Sequence, residues 1–425
     1  MTMPLMRPKR KNPLLRTRQM NAPPGARGRM ALSLTAAAAE GRFELQQCAD
    51  CAAVQYPPRE ACHRCTSARL PWRVQPTGGT LLALTTLHHS NDLFFRERLP
   101  WRLGLVQLDA GPTVVAHLHG AVQPSGDAAA LARVQMAARL DRAGRAVLIA
   151  LPAEETPHMA DDPMLREMTC DPKLRKVLVT DGMTPTGQAI VRAIAEAGAE
   201  IIWVGHAEPW KRHGSGLDEI TALPPVTLVP LDLTNARSVE ALAGEIGGKV
   251  DIVVNNAEVH RAFGITSRRG TDAARAEMDI NYFGALRLAQ AFGPALMGRS
   301  ADGVLSACAW VNLLSIYALA NFPPHGTYSA SKAAAHSLAQ CQRAEMRTAG
   351  IRVVNFFPGP IDDEWNQNLP PPKLAPQALA TAIVKALREG LEDVYPGDVA
   401  QEWLERWRDD PRVLERELAA GGAQT

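Results

Sequence analysis

Two different hydrophobic periods divide the chain. Between about residue 78 and residue 151, short apolar runs of strand type, Thr80–Leu87, Leu103–Leu108, Thr113–His117 and Ala146–Leu151, are broken by turns rich in Gly and Asp. Such spacing suits a small antiparallel barrel. From Lys176 onward the apolar runs are continuous: Val177–Thr180, Glu200–Gly205, Val226–Leu231, Asp251–Val254, Trp310–Leu314 and Ile351–Phe357. Helical stretches separate them, the first predicted over Gly187–Ala197. Strands buried on both faces read as unbroken apolar runs, so this half predicts a doubly wound α/β domain around a parallel sheet. Residues 153–172, polar and punctuated by Pro, read as the linker between the two.

Composition refines the picture. A chain of 425 residues with 46% hydrophobic and 21% charged residues is ordinary globular material, long enough for two or three domains. The formal charge is only +2, yet the first thirty residues hold Arg7, Lys9, Arg10, Lys11, Arg16, Arg18, Arg27 and Arg29 and no acidic residue. This arm is rich in Pro and has no apolar period, so it is expected to be disordered, or an extension upstream of a start at Met20 or Met30. A transit peptide is the lesser alternative. It lacks the apolar core of a secretory signal, and no uncharged apolar run of about 18 residues follows, so a cytoplasmic protein without a membrane span is expected. The expected organisation is a basic arm (1–30), a helix and ribbon (31–72), a barrel (73–152), the linker (153–172), the α/β domain (173–400) and a C-terminal helix and tail (401–425).

Four of the seven cysteines form two C-x2-C pairs, Cys48 with Cys51 and Cys62 with Cys65, ten residues apart; Cys170, Cys308 and Cys341 are scattered. Each pair can present two thiolates from a tight turn to one face of a tetrahedral zinc ion, and four thiolates leave no open position for catalysis. The expected site is therefore structural, in a reducing compartment, with His63 a neighbour rather than a ligand. The ribbon, Gly78 and Gly79, the strand ending at Leu87, then Pro100–Leu103 and Asp109–Gly111 resemble the acyl-CoA-associated zinc-ribbon/OB-fold family over about residues 31–152. That resemblance implies docking to a thiolase-like partner that works on acyl-CoA. Single-stranded nucleic acid, the other common OB-fold ligand, needs a basic groove and stacking aromatics. The chain is 5% aromatic and this segment has mixed charge, which does not suit nucleic acid.

Tyr328 and Lys332 lie four residues apart, so on a helix both project from one face. A tyrosine with a pKa of about 10 is a poor base at neutral pH, and a neighbouring ammonium stabilises its phenolate. Ser315 lies thirteen residues before Tyr328, and Asn281 further upstream. With Asp232, Asn255–Ala257, Asn281–Gly284 and Pro358–Ile361 in this order, residues 173–400 resemble the short-chain dehydrogenase/reductase family. The resemblance implies one Rossmann domain with a nicotinamide cofactor across the carboxyl edge of the sheet. Tyr328 is then the general acid or base, Lys332 its electrostatic partner and a ribose contact, Ser315 the holder of the substrate oxygen, and Asn281 the support of a water leading to Lys332. The cofactor would meet Thr180, Gly182, Thr186 and Gly187 in the phosphate turn, His206 after the second strand, and Asp232 and Leu233 around the adenine. Asn255, Asn256 and Ala257, Tyr328 and Lys332, and Pro358, Gly359 and Ile361 complete the contacts that the resemblance implies. Such domains also imply a homo-oligomer built through the helices carrying Asn281 and Tyr328.

Several positions depart from that family's pattern. Asp181 and Pro185 stand where the phosphate turn has its first two glycines, and only Gly187 remains of the three. Asp181 is expected to adopt the left-handed region more easily than most residues, with Gly182 beside it absorbing part of the turn, and Pro185 suits the first turn of a helix. Glu258 replaces the Gly after Asn255–Ala257, and Asp363 stands where a Thr often contacts the carboxamide. These three acidic residues are expected to weaken or reshape cofactor binding without touching the tetrad. Gly205 and His206 end the second strand where an acidic residue would select NAD, and Lys211 and Arg212 follow, which leans toward NADP while leaving NAD open. Asp362–Pro376 is expected to cover the substrate, with Trp365 packed on the ligand or on the domain. The expected function is an NAD(P)-dependent dehydrogenase/reductase of a 3-hydroxyacyl/3-ketoacyl thioester. The alternative is a catalytically silent scaffolding subunit of an acyl-CoA thiolase- or aldolase-type complex.

Overall fold

The computed structural model describes residues 28–123, 132–207, 215–299 and 306–421, together with Pro4 and Pro23. Nearly all of the basic arm, and both Lys211 and Arg212, lie outside the described residues. The chain divides into two compact units at Asp171 and Pro172.

The first unit opens with helix α1 (Leu32–Ala39) and a three-stranded antiparallel ribbon, β1 (Glu44–Gln47), β2 (Val54–Gln55) and β3 (Trp72–Val74), in the order β2-β1-β3. A closed barrel follows: β4 (Gly78–Leu87), the short helix α2 (Leu93–Arg96), β5 (Trp101–Leu108), β6 (Thr113–Leu118), β7 (Arg133–Leu140) and β8 (Ala146–Pro152). Closure removes the open edges that a small sheet would otherwise leave unpaired. The sequence pattern yields four of these five strands. β7 is added by the structure, because Val134, Met136, Ala138 and Leu140 face inward while charged and small residues between them dilute the period. Leu34 and Ala38 of α1 join Val106, Leu118, Met136 and Leu140 in one core.

The segment 153–172 corrects the expectation of a polar linker. It forms helix α3 (Pro163–Glu167), capped by the Asp162 carboxylate, and buries Met164, Leu165 and Met168 against Trp101, Val147 and Ile149 of the barrel. Its polar residues hid three apolar anchors, Met164 and Leu165 in the short helix and Met168 at its C-terminal end.

The second unit alternates strand and helix: β9 (Lys176–Val179), α4 (Pro185–Glu196), β10 (Ile201–His206), α5 (Ser215–Thr221), β11 (Val226–Pro230), α6 (Ala236–Ile246) and β12 (Ile252–Asn255). Helix α7 (Asp272–Met278) runs through a π-helical turn, Asp279–Gly284, into α8 (Ala285–Gly298), and β13 (Ala309–Leu313), α9 (Gly326–Arg347) and β14 (Arg352–Phe356) follow. Helix α10 (Pro376–Glu389), β15 (Asp393–Val394), α11 (Asp398–Asp409) and α12 (Pro411–Gly421) end it. The seven strands are parallel in the order β11-β10-β9-β12-β13-β14-β15, a doubly wound Rossmann sheet. The order reverses between β9 and β12, which opens a crevice beyond their carboxyl ends, where ligands of such sheets bind. Leu242 and Ile246 of α6 and Leu288, Phe292 and Leu296 of α8 pack on Leu178, Val253 and Trp310 of the sheet. Among the described residues, no helix is long and apolar enough to cross a membrane.

Phe292 is fully buried in that core. Phe292→Ala is expected to cost about 3–5 kcal/mol of unfolding free energy, read from the shift of the denaturant midpoint of this domain.

Candidate active site

The turn between β9 and α4 keeps its shape by packing. Among the described residues with positive φ, none lies between Thr180 and Gly187, so Asp181 is not in the left-handed conformation expected of it. Gly182 lies against Val204, and a Cβ there would overlap that side chain. A Cβ on Gly187 would likewise overlap the Asp181 carbonyl. Thr184 caps α4, its hydroxyl accepting from the Gly187 N–H at 3.1 Å, and Pro185 sits at the first helical turn, where its missing N–H is not needed.

The turn is tied to the end of β12. The Thr180 hydroxyl accepts from the N–H groups of Asn256 (3.0 Å) and Ala257 (3.1 Å). The Asn256 amide accepts from the Asp181 N–H (3.0 Å) and donates to the Asp181 carbonyl (2.7 Å). The Asp181 carboxylate turns back to accept from the Met183 N–H at 2.8 Å. Burial first, and the Glu258 charge among the rest, raise its pKa to about 6. At the next strand end His206 is buried, and Leu233 is buried beside Asp232, whose carboxylate accepts from the Thr234 N–H and hydroxyl. A helix N-terminus with its positive dipole end, glycine cradles that a Cβ would fill and no carboxylate at the end of β10 together fit an anionic dinucleotide at this edge.

The four residues expected at the chemical centre come from three elements. Asn281, on the π-helical turn, clamps the loop after β12: it accepts from the Val259 N–H (2.9 Å) and donates to the Val259 carbonyl (2.9 Å) and the Ser331 hydroxyl (2.8 Å). Ser315 follows β13, and its hydroxyl accepts from the Tyr317 N–H at 3.2 Å. Tyr328 and Lys332 are buried on α9, with the Lys332 Nζ 5.5 Å from the Tyr328 ring centre and donating to the Leu313 carbonyl at 2.9 Å. Ser315 and Tyr328 line one cavity with Pro358, Gly359 and Ile361; Asn281 and Lys332 line another with Asn255 and Ala257.

Glu258 overturns the expectation that the acidic departures leave the tetrad untouched. Its Oε2 accepts from the Tyr328 hydroxyl at 2.9 Å and pairs with the Lys332 Nζ at 2.6 Å. Burial alone would raise the Glu258 pKa, but the Lys332 charge, then His260, then the hydrogen bonds from Lys332 and Tyr328, bring it below the usual 4.5. Burial first and the Glu258 carboxylate second push the Tyr328 phenol well above 10. Sequence alone marks Glu258 as a departure from Gly without showing where its side chain reaches.

Two histidines also stand here that the sequence did not single out. His260 stacks on Tyr328 with ring centres 3.7 Å apart, and its Nε2 meets the Nδ1 of His325 at 2.5 Å. Burial holds His260 near 3, with Glu258 opposing and His325 adding to the fall, and burial holds His325 near 4. Both are uncharged at neutral pH. Their only sequence signal is the spacing of His260 three residues after Ala257 and of His325 three before Tyr328. Asp363 caps a short 3-10 helix (Glu364–Asn366), and burial, then Glu258, raise its pKa to about 6. Trp365 packs on the domain, under the Arg261 guanidinium 4.7 Å from its ring.

In the ribbon, the sulfurs of Cys48, Cys51, Cys62 and Cys65 lie within 4.8 Å of one another, with Cys48 to Cys65 at 3.5 Å and Cys51 to Cys62 at 3.6 Å. A tetrahedral zinc ion with Zn–S bonds of about 2.3 Å needs edges of about 3.8 Å, so the donor set fits zinc. A bond from the Cys51 N–H foremost lowers the Cys48 thiol to about 7. His63 hydrogen-bonds Gln55 and is not part of the sulfur cluster.

Comparison with known proteins divides the chain in the same way. Residues 175–373 match the short chain dehydrogenase family model, residues 35–71 the ChsH2 rubredoxin-like zinc ribbon domain and residues 72–140 the ChsH2 C-terminal OB-fold domain. A short chain dehydrogenase from Burkholderia cenocepacia, solved in complex with NADP, is 33% identical; the match covers 58% of this chain and 98% of that one, with a TM-score of 0.51. An uncharacterized oxidoreductase of Staphylococcus aureus is 29% identical over 221 residues, 50% of this chain and 90% of the relative. Mouse dehydrogenase/reductase SDR family member 7B is 30% identical over 199 residues, 45% of this chain and 59% of that protein.

Two outcomes follow from these geometries. Because folding raises the Asp181 carboxyl from 3.8 to about 6, the stability it contributes is intact below 3.8 and is lost as pH climbs through 6. Asp181→Asn keeps an acceptor for Met183 and is expected to raise unfolding free energy at pH 7 by about 1–3 kcal/mol, a gain that shrinks toward zero near pH 4. For the ribbon, metal analysis is expected to find about one zinc per chain, and Cys48→Ser or a strong chelator to remove it and lower the melting temperature of the first unit.

Proposed function

The chain belongs to the short-chain dehydrogenase family and carries that domain behind a zinc ribbon and an OB-fold, and on this premise we propose an NADP-dependent oxidoreductase that interconverts 3-hydroxyacyl and 3-ketoacyl thioesters. The observation that carries the proposal is the convergence of Ser315 and Tyr328 on one cavity, with Lys332 and Asn281 behind them, at the carboxyl edge of the sheet. Bound NADP(H) supplies or accepts the hydride. Tyr328 would move the proton at the substrate oxygen, Ser315 would hold that oxygen by hydrogen bond, and Lys332 would set the charge at Tyr328 and hold the ribose. Asn281 fixes the loop after β12 through Val259, and so the position of Glu258 next to it. Thr180, Gly182, Thr186, Gly187, His206, Asp232, Leu233, Asn255–Ala257, Pro358, Gly359 and Ile361 are proposed to hold the dinucleotide. NADP is preferred over NAD because no carboxylate ends β10, and the NADP complex of the Burkholderia relative supports that choice.

Fusion to a ribbon and barrel supports the thioester substrate and a thiolase-like partner. A 3-ketoacyl thioester formed beside an enzyme that cleaves or makes such compounds passes over a short distance. Leu82, Leu105 and Val115 are exposed on neighbouring strands β4, β5 and β6, an apolar strip suited to such a partner. A homo-oligomer is proposed through the helices carrying Asn281 and Tyr328, where Phe283 is exposed.

One observation favours a second function, a catalytically silent scaffolding subunit: the Glu258 carboxylate already holds both Tyr328 and Lys332. Fluorescence titration separates the two. NADPH is expected to bind more tightly than NADH, and Tyr328→Phe to lower kcat for 3-ketoacyl-CoA reduction about 100-fold or more while NADPH still binds. If neither nucleotide binds at millimolar concentration, the chain is the scaffold.

A further inference from the structure

One oxygen of Glu258 takes a hydrogen bond from the Tyr328 phenol at 2.9 Å and an ion pair from the Lys332 ammonium at 2.6 Å. The lysine four residues along a helix from a tyrosine would lower the phenol's pKa and make it a base. Here that ammonium faces a carboxylate instead, and the same carboxylate accepts the phenol proton. We propose that Glu258 is a positioning residue that keeps Tyr328 protonated, so that at neutral pH the resting centre is set as the acid for carbonyl reduction and must lose that proton before it oxidises an alcohol. That proposal rests on the oxidoreductase function above and gives its direction.

The carbonyl carbon receives a hydride, as an electron pair with its hydrogen, from the reduced nicotinamide, while the Tyr328 proton passes to the carbonyl oxygen. The C=O becomes H–C–OH, the nicotinamide is left oxidised, and Tyr328 is left as a phenolate. One proton from solvent restores the phenol; Glu258, whose oxygen bonds Tyr328, has a side chain 15% exposed. Oxidation starts from that same phenolate beside the Glu258 carboxylate, two anions sharing one buried place, and so requires the proton to be lost before the alcohol reacts, whereas in reduction solvent replaces it afterwards.

The other groups around Tyr328 do not reverse this. Tyr317, on the 3-10 turn after β13, is pushed up by burial and stays neutral. His260, in the loop after β12, and His325, at the start of α9, are uncharged at neutral pH. Asp363, after β14, adds negative charge above about 6 and acts in the same direction as Glu258. Lys332 is the only group named here that favours a phenolate, and Glu258 pairs with it.

Glu258→Gln keeps the shape and removes the charge. In the full-length chain without nucleotide, the tyrosinate absorbance of Tyr328, isolated by subtracting the matching Tyr328→Phe titration, is expected to appear at least about one pH unit lower in Glu258→Gln than in the natural protein. The ratio of kcat for alcohol oxidation to kcat for ketone reduction, each at saturating substrate and nucleotide at pH 7.5, is expected to rise about tenfold or more in step with that shift. Glu258→Asp, which keeps the charge, should leave Tyr328 titrating as in the natural protein, and circular dichroism confirms that the variants fold. Tyr328 ionising at the same pH with Gln and with Glu at position 258 overturns the proposal. A shifted Tyr328 in a chain that binds neither NADPH nor NADH supports the role of Glu258 and rejects the oxidoreductase function instead.

Discussion

The buried pair of Lys332 and Glu258 sets the chemistry of the dehydrogenase domain. An ammonium held inside a protein is costly unless a counter-charge and hydrogen bonds satisfy it, and removing one partner of such a pair costs about 3–5 kcal/mol. Lys332 has the Leu313 carbonyl and the Glu258 carboxylate, and among the groups near it Glu258 carries the compensating charge. Because the same oxygen also accepts from Tyr328, the carboxylate that settles the lysine decides the protonation of the tyrosine. Its charge extends further, raising the pKa of both Asp181 at the phosphate turn and Asp363 after β14. One substitution at a position where a small residue is usual therefore couples the two ends of the crevice.

The phosphate turn shows how a backbone shape outlasts the residues that usually mark it. Close approach of the chain to Val204 and to its own carbonyl at Asp181 demands small residues at 182 and 187, and glycine stands at both. The positions that carry Asp181 and Pro185 ask for no left-handed backbone, so neither substitution strains the turn. Asn256 and Thr180 then hold the turn to the end of β12 by four hydrogen bonds, and those contacts run across about 75 residues of sequence. A pattern that counts glycines sees a damaged turn; the tertiary hydrogen bonds show an intact one with a carboxyl folded inward.

In the first unit, local chemistry and long-range closure divide differently. The ribbon is written in four cysteines, because two tight turns with paired thiolates can meet only around one centre, and the sulfurs do lie within 4.8 Å of each other. The barrel was legible in four apolar runs, but its closure depends on β7, whose inward residues alternate with Arg133, Gln135 and Arg139. The polar stretch after the barrel reads as a linker in sequence for the same reason: charged residues set its average, while Met164, Leu165 and Met168 do its packing.

What the sequence determined by itself follows from short-range rules. Continuous apolar runs separated by helical stretches require a parallel sheet covered by helices, paired cysteines require a tetrahedral metal site, and a tyrosine four residues before a lysine places both on one helical face. What tertiary structure decided is the state of that tyrosine. Glu258 is 70 residues from Tyr328 along the chain, and its identity says that a carboxylate is present without saying where it points. Only the packing of the loop after β12, clamped by Asn281 and lying against α9, turns the side chain inward and places one oxygen between a phenol and an ammonium. Electrostatic interaction at that separation outweighs every local preference of the tyrosine, so the direction of its proton is a property of the fold and not of the motif.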